Sequence, residues 1–242
     1  MKWSFFFTSA VGRKIVMALT GFFLISFLIV HVGLNSTIFN DLAFFNRNDN
    51  GSMFNRAAYF MGNSLVIRIM EIGLFAGFIL HIIQGYAVEL KNRGMRKKGY
   101  QVSLGNRGST WMSRSMAILG TLIFLYLVLH VSQFWIPSRI THTPEPVSYP
   151  ALSGEREMHN MFLLMYNTFQ QGWVVIVYLI GVGALLFHLL HGFHAAFRSV
   201  GVHNRKYLSM LKGLGYGFSV IVCVLFALMP VSMYLQWVSP YN

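Results

Sequence analysis

Five stretches of this chain stay apolar for about 20 residues or more. In hydrocarbon no water is present to bond a bare N–H or C=O, so a single segment of that length is read as a spanning helix. The stretches run roughly over residues 15–36, 64–90, 114–136, 171–197 and 212–237. The expected fold class is an all-α integral membrane protein with five transmembrane helices in a bundle, residues 1–242 forming one domain. Composition agrees, since 55% of the 242 residues are hydrophobic and 11% are charged. A net charge of +12 would suggest nucleic acid in a soluble protein. Here the basic residues gather between the apolar runs, so they report topology, and nucleic acid is not an expected partner.

Fourteen of the 19 Lys and Arg residues fall on the side that holds residues 1–14 and the connections 91–114 and 198–212. Only Arg47, Arg56, Arg139 and Arg156 fall on the other, and Arg68 lies inside the second run. The positive-inside rule therefore predicts a cytoplasmic N-terminus and an outer C-terminus. The opening MKWSFFFTSAVGRK resembles a signal peptide but has no clear small-residue cleavage site before His31, so the first run is expected to remain as a helix. The outer connection that carries Pro137, Pro144, Pro146 and Pro150 is expected to start as irregular backbone. Residues 157–170 then place Met158, Met161, Phe162, Met165 and Phe169 at helical spacing, which predicts a short helix lying in the outer interface. Residues 43–60 are read the same way, with loops carrying apolar anchors as the alternative for both.

The chain repeats itself. His81 is followed at offsets of four, ten and thirteen by Gly85, Lys91 and Gly94, and His188 at the same offsets by Gly192, Arg198 and Gly201. Met17, Ala18, Gly21, His31 and Val32 line up with Met116, Ala117, Gly120, His130 and Val131. The repeat is parallel, the first two segments matching the third and fourth. Each of the four segments thus carries one histidine in register.

Depth sorts these histidines into pairs. His31 lies 17 residues from Lys14 and His130 lies 16 from Arg114, roughly 24–26 Å above the inner boundary at about 1.5 Å per residue. His81 and His188 each lie 10 residues from an inner cation, Lys91 and Arg198, or roughly 15 Å. An imidazole in lipid must satisfy its nitrogens, so such residues face the bundle interior. For one histidine a hydrogen-bonded packing role serves equally well, but two pairs at matched depths suit axial ligation of two haem irons, each in a slot between helices. The small residues Gly85 and Gly192, one turn beyond their histidines, leave room for a ring edge, although such residues also serve plain helix packing. His188, His191 and His194 compete on the fourth segment. The shared offsets favour His188, with His191 the alternative ligand. His142, His159, His194 and His203 read as loop or interfacial residues.

Anionic propionates would seek cations, with Arg114 and Arg198 as inner candidates and Arg68 as an outer one. Glu71, three residues after Arg68, offers it an ion pair instead. The single cysteine, Cys223, excludes a disulfide framework, a thiolate cluster and covalent CxxCH haem. No phosphate loop, nucleophile triad or zinc signature is present, so no catalytic residue is assigned.

On these residues the chain resembles the di-haem cytochrome b membrane anchor of succinate:quinone oxidoreductases, the succinate dehydrogenases and quinol:fumarate reductases with a single large anchor subunit. The resemblance covers nearly the whole chain and rests on GRKIVMALTGFFL with His31, FILHIIQGY with His81, LYLVLHV with His130 and FHLLHGFHAAFRSVG with His188. It implies that His31 and His130 ligate a distal haem b, that His81 and His188 ligate a proximal one, and that a quinone, menaquinone, is the substrate. It also implies a flavoprotein and an iron-sulfur subunit on the cytoplasmic face of a bacterial inner membrane. Electrons would then run from the iron-sulfur subunit through both haems to quinone, in respiratory complex II of the tricarboxylic acid cycle. Some family members carry a proton-transferring glutamate two residues before the fourth-helix ligand; here that position is Leu186, so that route is not carried over. Arg68, Glu71 and His159 are quinone candidates from outer-side location alone. The competing readings are the haem b subunit of another quinone-reactive enzyme, a hydrogenase or formate dehydrogenase, and a small transporter.

Overall fold

A computed structural model describes residues 9–42, 49–95, 110–149 and 157–240. Expectations that rest on Lys2, residues 43–48, Arg96, Lys97, Lys98, Arg107 and Arg156 lie outside these. Among the described residues five helices are long and apolar enough to cross a membrane, so the chain is a multi-pass membrane protein with five candidate spans. Helix α1 (Ala10–Asn35) continues as a 3-10 turn over Ser36–Asp41, and α2 (Ser52–Asn63) and α3 (Leu65–Met95) follow. Next come α4 (Trp111–Arg114) and α5 (Met116–His130). A small antiparallel ribbon, β1 (Pro146–Val147) with β2 (Met158–His159), precedes α6 (Met161–Phe169), α7 (Gly172–Ser199) and α8 (Arg205–Tyr234).

The helix ends follow local chemistry more than hydropathy. Helix α1 starts at Ala10, ahead of its apolar run, because Ser9 caps it: the Gly12 N–H donates to Ser9 Oγ at 3.0 Å. At its other end Asn35, Ser36 and Thr37 turn their side chains back onto the carbonyls of His31, Val32 and Leu34 at 2.7–2.8 Å. Such local bonds compete with the regular ladder and tighten the last turn. Pro137 does not end the third span, contrary to the irregular start expected for that connection. Helix α5 passes instead into π turns over Val131–Trp135 and Pro137–Thr141, and the Ile136 N–H reaches back to the Val131 carbonyl. A five-residue turn absorbs the N–H that proline lacks without breaking the rod.

The chain forms two compact units, and each long helix contributes a segment to both. The first comprises residues 1–28, 72–123 and 183–221, and the second residues 29–71, 124–182 and 222–242. In the second, α6 does not spread its apolar face on an interface as its periodicity predicts. It buries Phe162, Met165, Tyr166 and Phe169, and the rings of Phe54 of α2 and Phe162 stand 6.5 Å apart. The two amphipathic helices cover each other. Gly51, ahead of α2, permits this approach: its φ is +71°, which favours glycine, and a Cβ there would run into the Phe162 ring.

Asn55 stitches this layer together. It is fully buried; its amide donates to Tyr149 Oη at 2.8 Å and Asn160 Oδ1 at 3.0 Å, and its carbonyl oxygen accepts from the Phe162 N–H at 2.9 Å. Tyr149 in turn donates to the Asn50 carbonyl at 2.9 Å, and burial pushes its phenol up, so it stays protonated and able to donate. Asn55→Ala strands the buried Phe162 N–H and is expected to cost about 1–3 kcal/mol. Thermal unfolding in detergent reads this out, and an unchanged midpoint would show that the Asn55 bonds do not hold the layer.

Candidate functional site

In the first unit the imidazoles of His81 on α3 and His188 on α7 face each other with ring centroids 6.2 Å apart and planes at 65°. The ring that meets His81 is thus that of His188, while His191 lies 5.6 Å from His194. Both histidines are half-buried. A Cβ on Gly21 of α1 would sit 3.7 Å from His81 Cε1, and one on Gly120 of α5 would sit 3.9 Å from His188 Cε1. The repeat read from the sequence therefore recurs as contacts, the same glycine of each half backing the same histidine. Thr20 Oγ1 lies 3.0 Å from His81 Nδ1, a neighbour that sequence reasoning missed although it adjoins Gly21.

In the second unit His31 of α1 and His130 at the end of α5 stand 5.8 Å apart at 87°. Aromatic rings surround them: Tyr126 stacks on His130 at 5.7 Å and 28°, Phe134 lies 5.3 Å from it, and Phe226 lies 5.7 Å from His31. Asn35 Nδ2 approaches His31 Nδ1, and Tyr178 Oη approaches His130 Nδ1, each at 3.4 Å, long for a hydrogen bond. Tyr178 instead donates to Gln133 Oε1 at 2.8 Å. Neither tyrosine was singled out from sequence, because an aromatic residue inside an apolar run reads as lipid-facing or core.

The donor set can be tested against a metal cofactor. Among the described residues no group of three or more His, Cys, Asp or Glu could hold a metal ion. A pair of imidazoles instead suits a metal that brings its own equatorial ligands, as haem iron does. Two imidazole–metal bonds of about 2 Å, plus the reach from nitrogen to ring centre on each side, put the centroids roughly 6 Å apart. The separations of 5.8 and 6.2 Å fit.

The charged candidates scatter. Arg198 is exposed in the last turn of α7, and Arg114 closes α4. Arg68 is exposed and its Nε points to the Gly62 carbonyl at 3.4 Å. It does not form the ion pair with Glu71 offered by sequence proximity. Glu71 pairs with Arg139 Nη2 at 3.3 Å and accepts from Trp135 Nε1, while Arg139 Nη1 donates to the Gly62 carbonyl at 2.8 Å. Trp135 and Arg139 reach Glu71 because the π turns carry the helix past Pro137, and this was not foreseen. His159 stacks on His142 at 5.6 Å, exposed and apart from the Glu71 cluster in its bonding partners.

No family model, curated protein or solved structure matches the chain. Among the described residues, fold and site together define a multi-pass membrane protein with five candidate spans and two facing histidine pairs, each pair drawn from two different long helices.

Proposed function

We propose that the chain is a di-haem cytochrome b, serving as membrane anchor and electron-transfer subunit of a succinate:quinone oxidoreductase. The observation that carries the first part is the pair of facing imidazoles in each unit, at the separation two axial ligands require. His81 and His188 would hold one haem, His31 and His130 the other, and the haems supply reversible one-electron chemistry when bound. The protein's own contribution is ligation, orientation and an apolar surround. Tyr126, Phe134 and Phe226 exclude water around the His31/His130 pair, and Gly21 and Gly120 keep the faces of the other pair uncrowded.

The second part rests on the likeness of the sequence motifs to the succinate:quinone anchors. Under it, the cation-rich ends face the cytoplasm, where the flavoprotein and iron-sulfur subunits dock, and propionates bond Arg114, Arg198 or Arg68. Menaquinone is the electron partner, and the half-buried Glu71 is the best placed of the three quinone candidates to handle a proton.

A reduced-minus-oxidised optical spectrum of purified protein tests the haem reading: b-type bands and about two haems per chain are expected. Absence of bands would favour the transporter. Purification of the intact complex tests the rest. Succinate-dependent dye reduction with flavin and iron-sulfur partners supports it, and a hydrogenase or formate dehydrogenase partner overturns the enzyme assignment while leaving the cytochrome.

A further inference from the structure

Among the positions at which the aligned halves differ, one lies beside a histidine. The residue before each backing glycine is Thr20 in the first half and Leu119 in the second. Thr20 has its hydroxyl proton committed along its own helix, to the Val16 carbonyl at 2.8 Å or that of Met17 at 3.1 Å. Toward His81 Nδ1, 3.0 Å away, its oxygen can therefore only accept. An Nδ1–H donating to Thr20 leaves Nε2 bare, the state an axial ligand needs. Leu119 offers nothing comparable, and His188 Nδ1 is buried without a hydrogen-bond partner.

We infer that Thr20 is a positioning residue that fixes the tautomer of His81 and strengthens it as a ligand, whereas Leu119 withholds the same support from His188. This rests on the haem reading above. One iron is then held by two unequal imidazoles. An acceptor on the far nitrogen makes an imidazole more basic, which favours the oxidised metal. Thr20 thus holds the potential of the His81/His188 haem down, and the leucine at 119 keeps it from falling further.

The test is a potentiometric optical measurement on wild type, Thr20→Val, Thr20→Ser and Leu119→Thr, with His188→Ala identifying which band belongs to this haem. Thr20→Val is expected to move that couple toward the reduced form by up to about tenfold, which is about 59 mV for one electron. Thr20→Ser keeps the hydroxyl and should stay near wild type. Leu119→Thr should move the couple the opposite way, and the other haem should not move in any variant. Loaded protein whose potentials ignore both Thr20→Val and Leu119→Thr, or in which both haems shift together, overturns the role of Thr20 and leaves the haem reading standing. Wild type that purifies without haem overturns both.

Discussion

His188→Ala should lower the haem content from about two per chain to about one, while His191→Ala leaves it at about two. The two residues lie one turn apart on α7, so composition alone does not separate them. Geometry does. His188 presents its ring to His81 at 6.2 Å, and His191 presents its own to His194 at 5.6 Å. On the proposed di-haem reading, truncating His188 would leave a single nitrogen ligand for the iron of that pair, and the haem content should fall. The His31/His130 pair belongs to the other compact unit and shares no ligand with it. Its retained bands in His188→Ala show that the variant has folded. His81→Ala should copy His188→Ala. The opposite pattern, with His191→Ala losing haem and His188→Ala keeping it, would mean that the shared offsets misalign the fourth span.

Much of this was legible because the physics is one-dimensional. A spanning helix has a fixed rise, so counting residues from the nearest cation sorted His31 with His130 and His81 with His188, and these are the rings found facing each other. What escaped depends on tertiary neighbours. Arg68 lies three residues from Glu71 on α3, yet the carboxylate goes to Arg139, which sits beyond a proline that normally ends a helix. The apolar stripe of α6 is the same whether it meets lipid or protein, and only its packed neighbours, Phe54 of α2 with Phe134 and Tyr178, decide between them. The difference between Thr20 and Leu119 was visible in the aligned repeat, but a threonine in a span commonly bonds its own helix, and its second contact appears only once α3 is placed beside it.

Gly181→Ala is expected to cost the protein the haem of the His31/His130 pair and spare the other. A Cβ on Gly181 would lie 2.5 Å from Tyr126 Cγ, 2.6 Å from Cδ2 and 3.0 Å from Cβ. These atoms form the base of the ring, so no rotation about χ2 clears them, and a χ1 change carries the ring off His130, on which it stacks, and off Tyr178, 5.0 Å away. The remaining escape is a shift of α5 against α7, and α5 carries His130 itself. Overpacking of this kind costs about 1–3 kcal/mol, and here the displacement falls on the residues that orient a ligand. Gly183, two residues along, has nothing within 4 Å of the corresponding Cβ, so Gly183→Ala should keep both haems and the wild-type melting point. Adding Tyr126→Ala to Gly181→Ala removes the collision, and the double variant should be more stable than the sum of the two single changes predicts. If Gly181→Ala alone retains both haems and its melting point, Tyr126 does not hold His130 in place, and the orientation of that ligand falls to Phe134 and Tyr178.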